Sequence, residues 1–85
     1  MKKEVKILKA LANEKRLEIL KLLDKHSGFS VIEIAEEINL HFKSTSKHLQ
    51  RLSEAGLIKS NRDGVWVRFG LIEKVDQLLK KISSF

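Results

Sequence analysis

The chain has 85 residues, with 17 Lys and Arg against 11 Asp and Glu, a formal charge of +6 and no cysteine. That length fits one domain, and the missing thiols exclude disulfides and thiolate metal sites. No apolar run approaches the ~18 residues that cross a bilayer, and the opening MKKEVKILKALANEKR lacks the apolar core and cleavage site of a signal peptide, so a cytoplasmic protein is expected.

The charge is unevenly spread. Residues 30–42 carry only Glu33, Glu36 and Glu37, whereas residues 43–68 carry six basic side chains against Glu54 and Asp63. A basic balance points weakly to nucleic acid by itself and more firmly when the cations share one contiguous third of the chain.

A first helix is expected over 3–12, where Val5, Leu8, Leu11 and Ala12 recur at helical spacing among lysines. Asn13 reads as the N-cap of a second helix. Its segment EKRLEILKLLDKH sets Leu17, Leu20 and Leu23 on one stripe beside Ile19 and Leu22, with a stop at Gly28. Ser30 and Glu33 form the S-x-x-E pattern of a capping box, and Phe29 and Ile34 occupy the positions of the accompanying hydrophobic staple. The short helix that follows turns Ile34, Ala35 and Ile38 inward, keeps its three glutamates in water and ends at Asn39 and Leu40.

The segment HFKSTSKHLQRLSEAG carries the functional signal. On a helix, Thr45, Leu49, Leu52 and Ala55 make one apolar stripe, and Ser44, Lys47, His48 and Arg51 make a second that holds donors and cations but no carboxylate. A solvated helix face is the ordinary meaning of such a stripe, but solvated faces mix signs, and the first carboxylate here is Glu54, near the helix end at Gly56. Ser44, Lys47, His48 and Arg51 of that stripe, with Lys43 and Ser46 beside it, become candidate DNA contacts under the winged-helix reading of the fold given below. Lysine and arginine neutralise phosphates or donate to guanine, and serines donate to phosphates or base edges. Phe42 suits either a thymine methyl or a neighbouring helix.

Two alternating runs joined by Asn61-Arg62-Asp63-Gly64 then predict a β-hairpin, because Gly after Asp accepts positive φ without strain. Val65, Val67 and Phe69 are expected on one side of its second strand, and Trp66 and Arg68 on the other. Arg62 at the tip is a further candidate contact to phosphate or the minor groove. In the last segment, IEKVDQLLKKISSF, Leu71, Val75, Leu78, Ile82 and Phe85 form a stripe with Ile72 and Leu79 alongside. That arc is broader than one small core needs. A dimer interface is expected from Val5 and Leu8 of the first helix together with Val75, Leu78, Leu79 and Ile82 of the last.

No catalytic or metal set can be assembled. His26, His41 and His48 have no cysteine, no H-x-x-x-H spacing and no Gly-rich phosphate loop around them, and nothing pairs a nucleophile with a base. The expectation is a non-enzyme without cofactor or metal.

The element order, four helices, a hairpin and a final helix, describes a mainly α winged helix-turn-helix, whose second motif helix enters the DNA major groove. Residues 7–71 also resemble the ArsR/SmtB-type dimeric transcriptional repressors. The likeness lies in LKALANEKRLEILKLL, SVIEIAEEINL, STSKHLQRLSEAGLI and RDGVWVRFGL, with Leu11, Ala12, Asn13, Arg16, Ile19 and Leu20 matching one family pattern and Ser46, His48, Leu49, Glu54, Ala55, Gly56 and Leu57 another. The resemblance implies a prokaryotic homodimer, with residues 1–85 as one DNA-binding domain whose first and last helices dimerise. It would bind a palindromic double-stranded operator as a repressor, with no membrane partner. A protein-interaction or architectural winged helix without an operator is the alternative. Departures from the pattern matter: the metal-binding cysteines of the founding members correspond to Ser30 and Ile32, and the last helix offers Glu73 and Asp76 but no histidine. Stoichiometric Zn²⁺, Cd²⁺ or As(III) should therefore leave DNA affinity unchanged. A release of about 5–150-fold, the usual range of allosteric coupling, that a chelator reverses would contradict this.

Overall fold

In chain order the elements are α1 (Lys2–Leu11), α2 (Glu14–Lys25), α3 (Val31–Glu37), α4 (Phe42–Glu54), the strands β1 (Ile58–Asp63) and β2 (Trp66–Leu71), and α5 (Glu73–Lys81). The computed structural model describes residues 1–81, apart from the side chains of Asp76 and Leu78.

Local chemistry sets the boundaries. Asn13 caps α2 by accepting from Arg16 N–H at 3.1 Å. Ser30 and Glu33 close the expected capping box: the Ser30 hydroxyl accepts from Glu33 N–H at 3.3 Å, and the Glu33 carboxylate accepts from Ser30 N–H at 2.9 Å. Asn39, with φ of 54°, turns the chain left-handed after α3, a conformation that asparagine tolerates better than most residues. At the end of α4, Gly56 has φ of 74°, its N–H reaches Ser53 O, and Leu57 N–H reaches Leu52 O. This is a Schellman closure, and it drops Leu57 into the core.

The core gathers one face from each of four helices. Ile19, Leu20 and Leu23 of α2, Ile34 of α3, Thr45 and Leu52 of α4 and Leu79 of α5 are all but completely buried. Each such aliphatic side chain contributes roughly 1.5–3 kcal/mol by leaving water. Two expectations change here, those for Leu17 and for Val75 and Leu79, while the exposure of Val5 and Leu8 agrees with an interface role. Leu17 is exposed, because Ile19 rather than Leu17 completes the inner face of α2. On α1 the inward residues are Ile7, Ala10 and Leu11, while Val5 and Leu8 remain 43% and 65% exposed. Val75 and Leu79 turn into the chain's own core, at 6% and 1% exposure, so they offer no surface to a second copy. Leu78 and Ile82, the other expected dimer residues on this segment, lie outside what is described, as does Phe85.

The hairpin pairs Ile58 with Leu71 through to Asp63 with Trp66, leaving Gly64 and Val65 as a two-residue loop. The turn thus lies beyond the expected Asn61–Gly64: Asn61 to Asp63 belong to β1, and Val65 sits in the loop, not on a strand face. Only the first loop position requires positive φ, and Gly64 supplies it at 64°. Pairing then extends to Asp63, whose carboxylate accepts from Arg68 Nε at 3.0 Å. Arg68 also donates to Gly28 O at 3.1 Å, and Phe69 N–H to Phe29 O at 2.9 Å, which fasten the hairpin to the entry of α3.

The capping box makes stability depend on acid. Donation from the Ser30 N–H, and then from its hydroxyl, holds the Glu33 carboxyl below its ordinary range. The stabilisation is therefore complete above the ordinary carboxylate pKa and fades as pH falls through the lowered value. Ser30→Ala should cost about 1 kcal/mol in denaturant unfolding. The stability gap between the wild type and Glu33→Gln should close on acidification, and a gap that stays constant with pH would refute the assignment.

Candidate nucleic-acid interface

α3, the left-handed turn at Asn39 and α4 form the helix-turn-helix, and α4 is held by α2, α3 and β1. Its inner stripe is Thr45, Leu49 and Leu52, all buried. The Thr45 hydroxyl donates to His41 O at 2.8 Å, so this polar side chain enters the core already satisfied. At 100° per residue, Lys43, Lys47, Gln50 and Glu54 fall within an arc of about 60° opposite that stripe. All four are exposed. The first turn of α4 contains no acid, and His41 makes no side-chain cap. The positive end of the helix is therefore open to an anion.

The expected contact residues separate into three positions. Lys43 and Lys47 stand on the outward arc. Ser46 is half-buried on another flank, lining a hollow with Val31 of α3 and Phe69 of β2. Ser44 and His48 are half-buried, on the flank they share with Arg51. His48 is engaged inside the protein: its Nδ1 accepts from Arg16 Nε at 3.2 Å. Burial, and then the Arg16 charge, hold its pKa below the ordinary histidine value. His48 is therefore neutral at pH 7, with its proton on Nε2. Arg51 is largely exposed and stands 3.9 Å from the Glu54 carboxylate, an ion pair at the limit of contact. Arg62 is exposed on β1, one residue before the end of the strand, and at the neighbouring loop Val65 is 89% exposed.

The stripe of Ser44, Lys47, His48 and Arg51 runs along one side of α4 but is unevenly accessible, with Lys47 and Arg51 exposed and Ser44 and His48 half-buried. Lys47 lies on the outward arc, and the other three lie toward the side where Arg16 of α2 meets His48. Gln50 is absent from the sequence-based candidates, yet it occupies the outward arc beside Lys47. The signal for it is its near-diametric opposition to Leu52 on the wheel. A glutamine amide in that place can pair with adenine through two hydrogen bonds. Among the described residues, no three His, Cys, Asp or Glu side chains converge to hold a metal.

Comparison with known proteins fits this geometry. A family model described as winged helix-turn-helix DNA-binding matches residues 12–59, from the end of α1 into β1. The chain is 30% identical over 83 residues to the uncharacterized HTH-type transcriptional regulator MJ1325 of Methanocaldococcus jannaschii, a match that covers 96% of this chain and 93% of that protein. It is also 30% identical over 78 residues to the arsenical resistance operon repressor of Escherichia coli, covering 92% of this chain and 67% of the repressor. Among solved structures, the homodimeric winged helix-turn-helix DNA-binding domain of Mb0332 from Mycobacterium bovis, a possible ArsR-family transcriptional regulator, superposes with a TM-score of 0.87 at 31% identity. That superposition covers 93% of this chain and 73% of the other. Fold, matched span and relatives agree, and the chain belongs to the winged helix-turn-helix DNA-binding family, as a transcriptional regulator of the ArsR type.

Proposed function

We propose that this regulator, a DNA-binding protein rather than an enzyme, acts as a homodimeric repressor in a prokaryotic cytoplasm. It binds a palindromic duplex operator with α4 of each copy in successive major grooves. The outward arc of α4 carries this reading: two lysines and an amide precede the first carboxylate there, on a helix whose first turn carries no acid. Lys43 and Lys47 serve phosphates or guanines, Gln50 serves a base edge and Arg62 reaches from the wing. Arg51 supports them from the rim. Ser44, Ser46 and His48 are placed to position the helix more than to read bases. Repression follows where the operator overlaps a promoter and the bound dimer blocks it. No helix among the described residues is long and apolar enough to cross a membrane.

Dimerisation through α1 and α5, with residues 1–85 acting as one domain, is supported by the uncovered side of α1. Met1, Val5, Leu8 and Ala12 are all exposed there, opposite the buried Ala10. Contiguous apolar exposure of this kind marks an interface, and the Mb0332 domain is described as homodimeric. With Val75 and Leu79 committed to the core, α1 contributes the larger share of the described face.

Two outcomes are expected. In duplexes selected from a random pool, Lys47→Ala should weaken binding by ~1–3 kcal/mol. It should lower the salt slope by about 0.9 if Lys47 meets a phosphate, whereas Gln50→Ala should relax preference at one base pair. Unchanged affinity, slope and preference in the double variant would remove α4 as the reading element, as would equal affinity for selected and random duplexes. Sedimentation should show a dimer for the unmodified chain and a monomer with much weaker palindrome binding for Leu8→Glu. A monomeric wild type at tens of micromolar, on the 9.8 kDa scale of one chain, contradicts the dimer.

A further inference from the structure

Lys2, Lys6 and Lys9 recur at i, i+4 and i+7 on α1 and so share one face of the helix. Together with Arg16 of α2 and with Arg51 and Glu54 of α4, they line a groove of about 450 Å³. Val5 and Ala10 give it an apolar portion. Five cations thus surround one concavity with a single carboxylate, and that carboxylate stands 3.9 Å from Arg51.

Arg16 sets this groove apart from an ordinary solvated patch. The residue is half-buried, and both of the hydrogen bonds of its guanidinium end on neutral acceptors, Lys9 O and His48 Nδ1, each at 3.2 Å. Among the described residues no carboxylate forms an ion pair with Arg16, Lys2, Lys6 or Lys9. Clustered like charges in a concave site concentrate a field that draws anions. The pKa of His48 is lowered first by burial and then by the Arg16 charge, the second of which belongs to the same field. The guanidinium has five N–H donors, and the two bonds above leave the rest for an external acceptor.

We propose that the groove between α1 and α4 is a binding site for a phosphate-bearing anion, gripped by Lys6, Lys9 and Arg16. Its volume falls within the range of small-molecule sites, about 300–1,000 Å³, which suits a ligand with more than one phosphate group. The phosphates come either from a free phosphorylated small molecule or from a DNA strand running past the recognition helix. The groove adjoins the outward arc of α4 at Glu54, while Lys43 and Lys47 do not line it.

The test is calorimetric titration of the full chain with tripolyphosphate, without DNA, at low ionic strength. Saturable binding of one anion per chain is expected. The variant Lys6→Ala/Lys9→Ala should weaken it at least tenfold, whereas Lys21→Ala/Lys25→Ala, which removes the same charge from α2, should leave it within twofold. Glu54→Gln should tighten binding severalfold by removing the one carboxylate. The altered lysines are all exposed, so the fold tolerates their loss. Absence of saturable binding overturns the site, and so does equal weakening in the two double variants or full retention in Lys6→Ala/Lys9→Ala. The source of the phosphate is read from duplex binding of Lys6→Ala/Lys9→Ala against salt. A slope lowered by about 0.9 per lysine assigns the groove to the DNA backbone, and an unchanged slope assigns it to a free ligand. The calorimetric arm needs no DNA, so failure of this site and failure of the DNA-binding reading are distinguishable.

Discussion

The direction in which α4 presents its side chains depends on burying one narrow stripe. Thr45 and Leu52 have no measurable exposure and Leu49 only 3%, against a core built from α2, α3 and α5. Turning the helix by one residue would bring Ser46, Gln50 and Ser53, or Ser44, His48 and Arg51, toward that core and push Leu52 toward water, at several kcal/mol for the aliphatic surface alone. Thr45 suits the buried stripe because its hydroxyl donates to His41 O at the N-cap of the same helix and so enters the core already satisfied. Everything outward on the helix, including Lys43, Lys47 and Gln50, inherits its orientation from those three inward residues.

The surrounding elements serve the same constraint. Lys15 of α2 donates to Ile38 O at 2.9 Å and closes the end of α3, where the chain must turn into α4. Arg16 links Lys9 O at the end of α1 to His48 on α4, so one guanidinium joins three helices. Arg68 joins the wing to the loop before α3. The recognition helix is thus seated by apolar contact from beneath and by long polar side chains at its flanks. α1, with few inward residues and an exposed apolar side, is the element that most needs a partner.

Features governed by near neighbours were legible in the sequence. Asn13, the Ser30–Glu33 box and Gly56 act within a few residues of themselves, so the helix limits they set appear where the pattern puts them. The element order and the inner stripe of α4 were legible for the same reason, since periodicity is a local property. What escaped was set by distant packing. The polar stripe of α4 has an identity in the sequence, but its neighbours on each flank come from α2 and from β2, far along the chain. Hence His48 looks like a surface donor and proves to be an acceptor for Arg16. In the last segment Val75 and Leu79 are buried and Leu71 and Ile72 pack against the core, a mixture of the two adjacent stripes that periodicity offers. The turn slipped by the same logic in miniature, because Gly64 alone demands positive φ and the residues before it were free to pair.

The central claim is that α4 of each copy lies in a major groove. Methylation interference on a selected duplex tests it most directly, because dimethyl sulfate marks guanine at N7 in the major groove and adenine at N3 in the minor groove. Binding should be blocked by N7 methylation in two clusters centred about 10 base pairs apart. Binding indifferent to guanine N7 methylation, or blocked only by adenine N3 methylation, would contradict it.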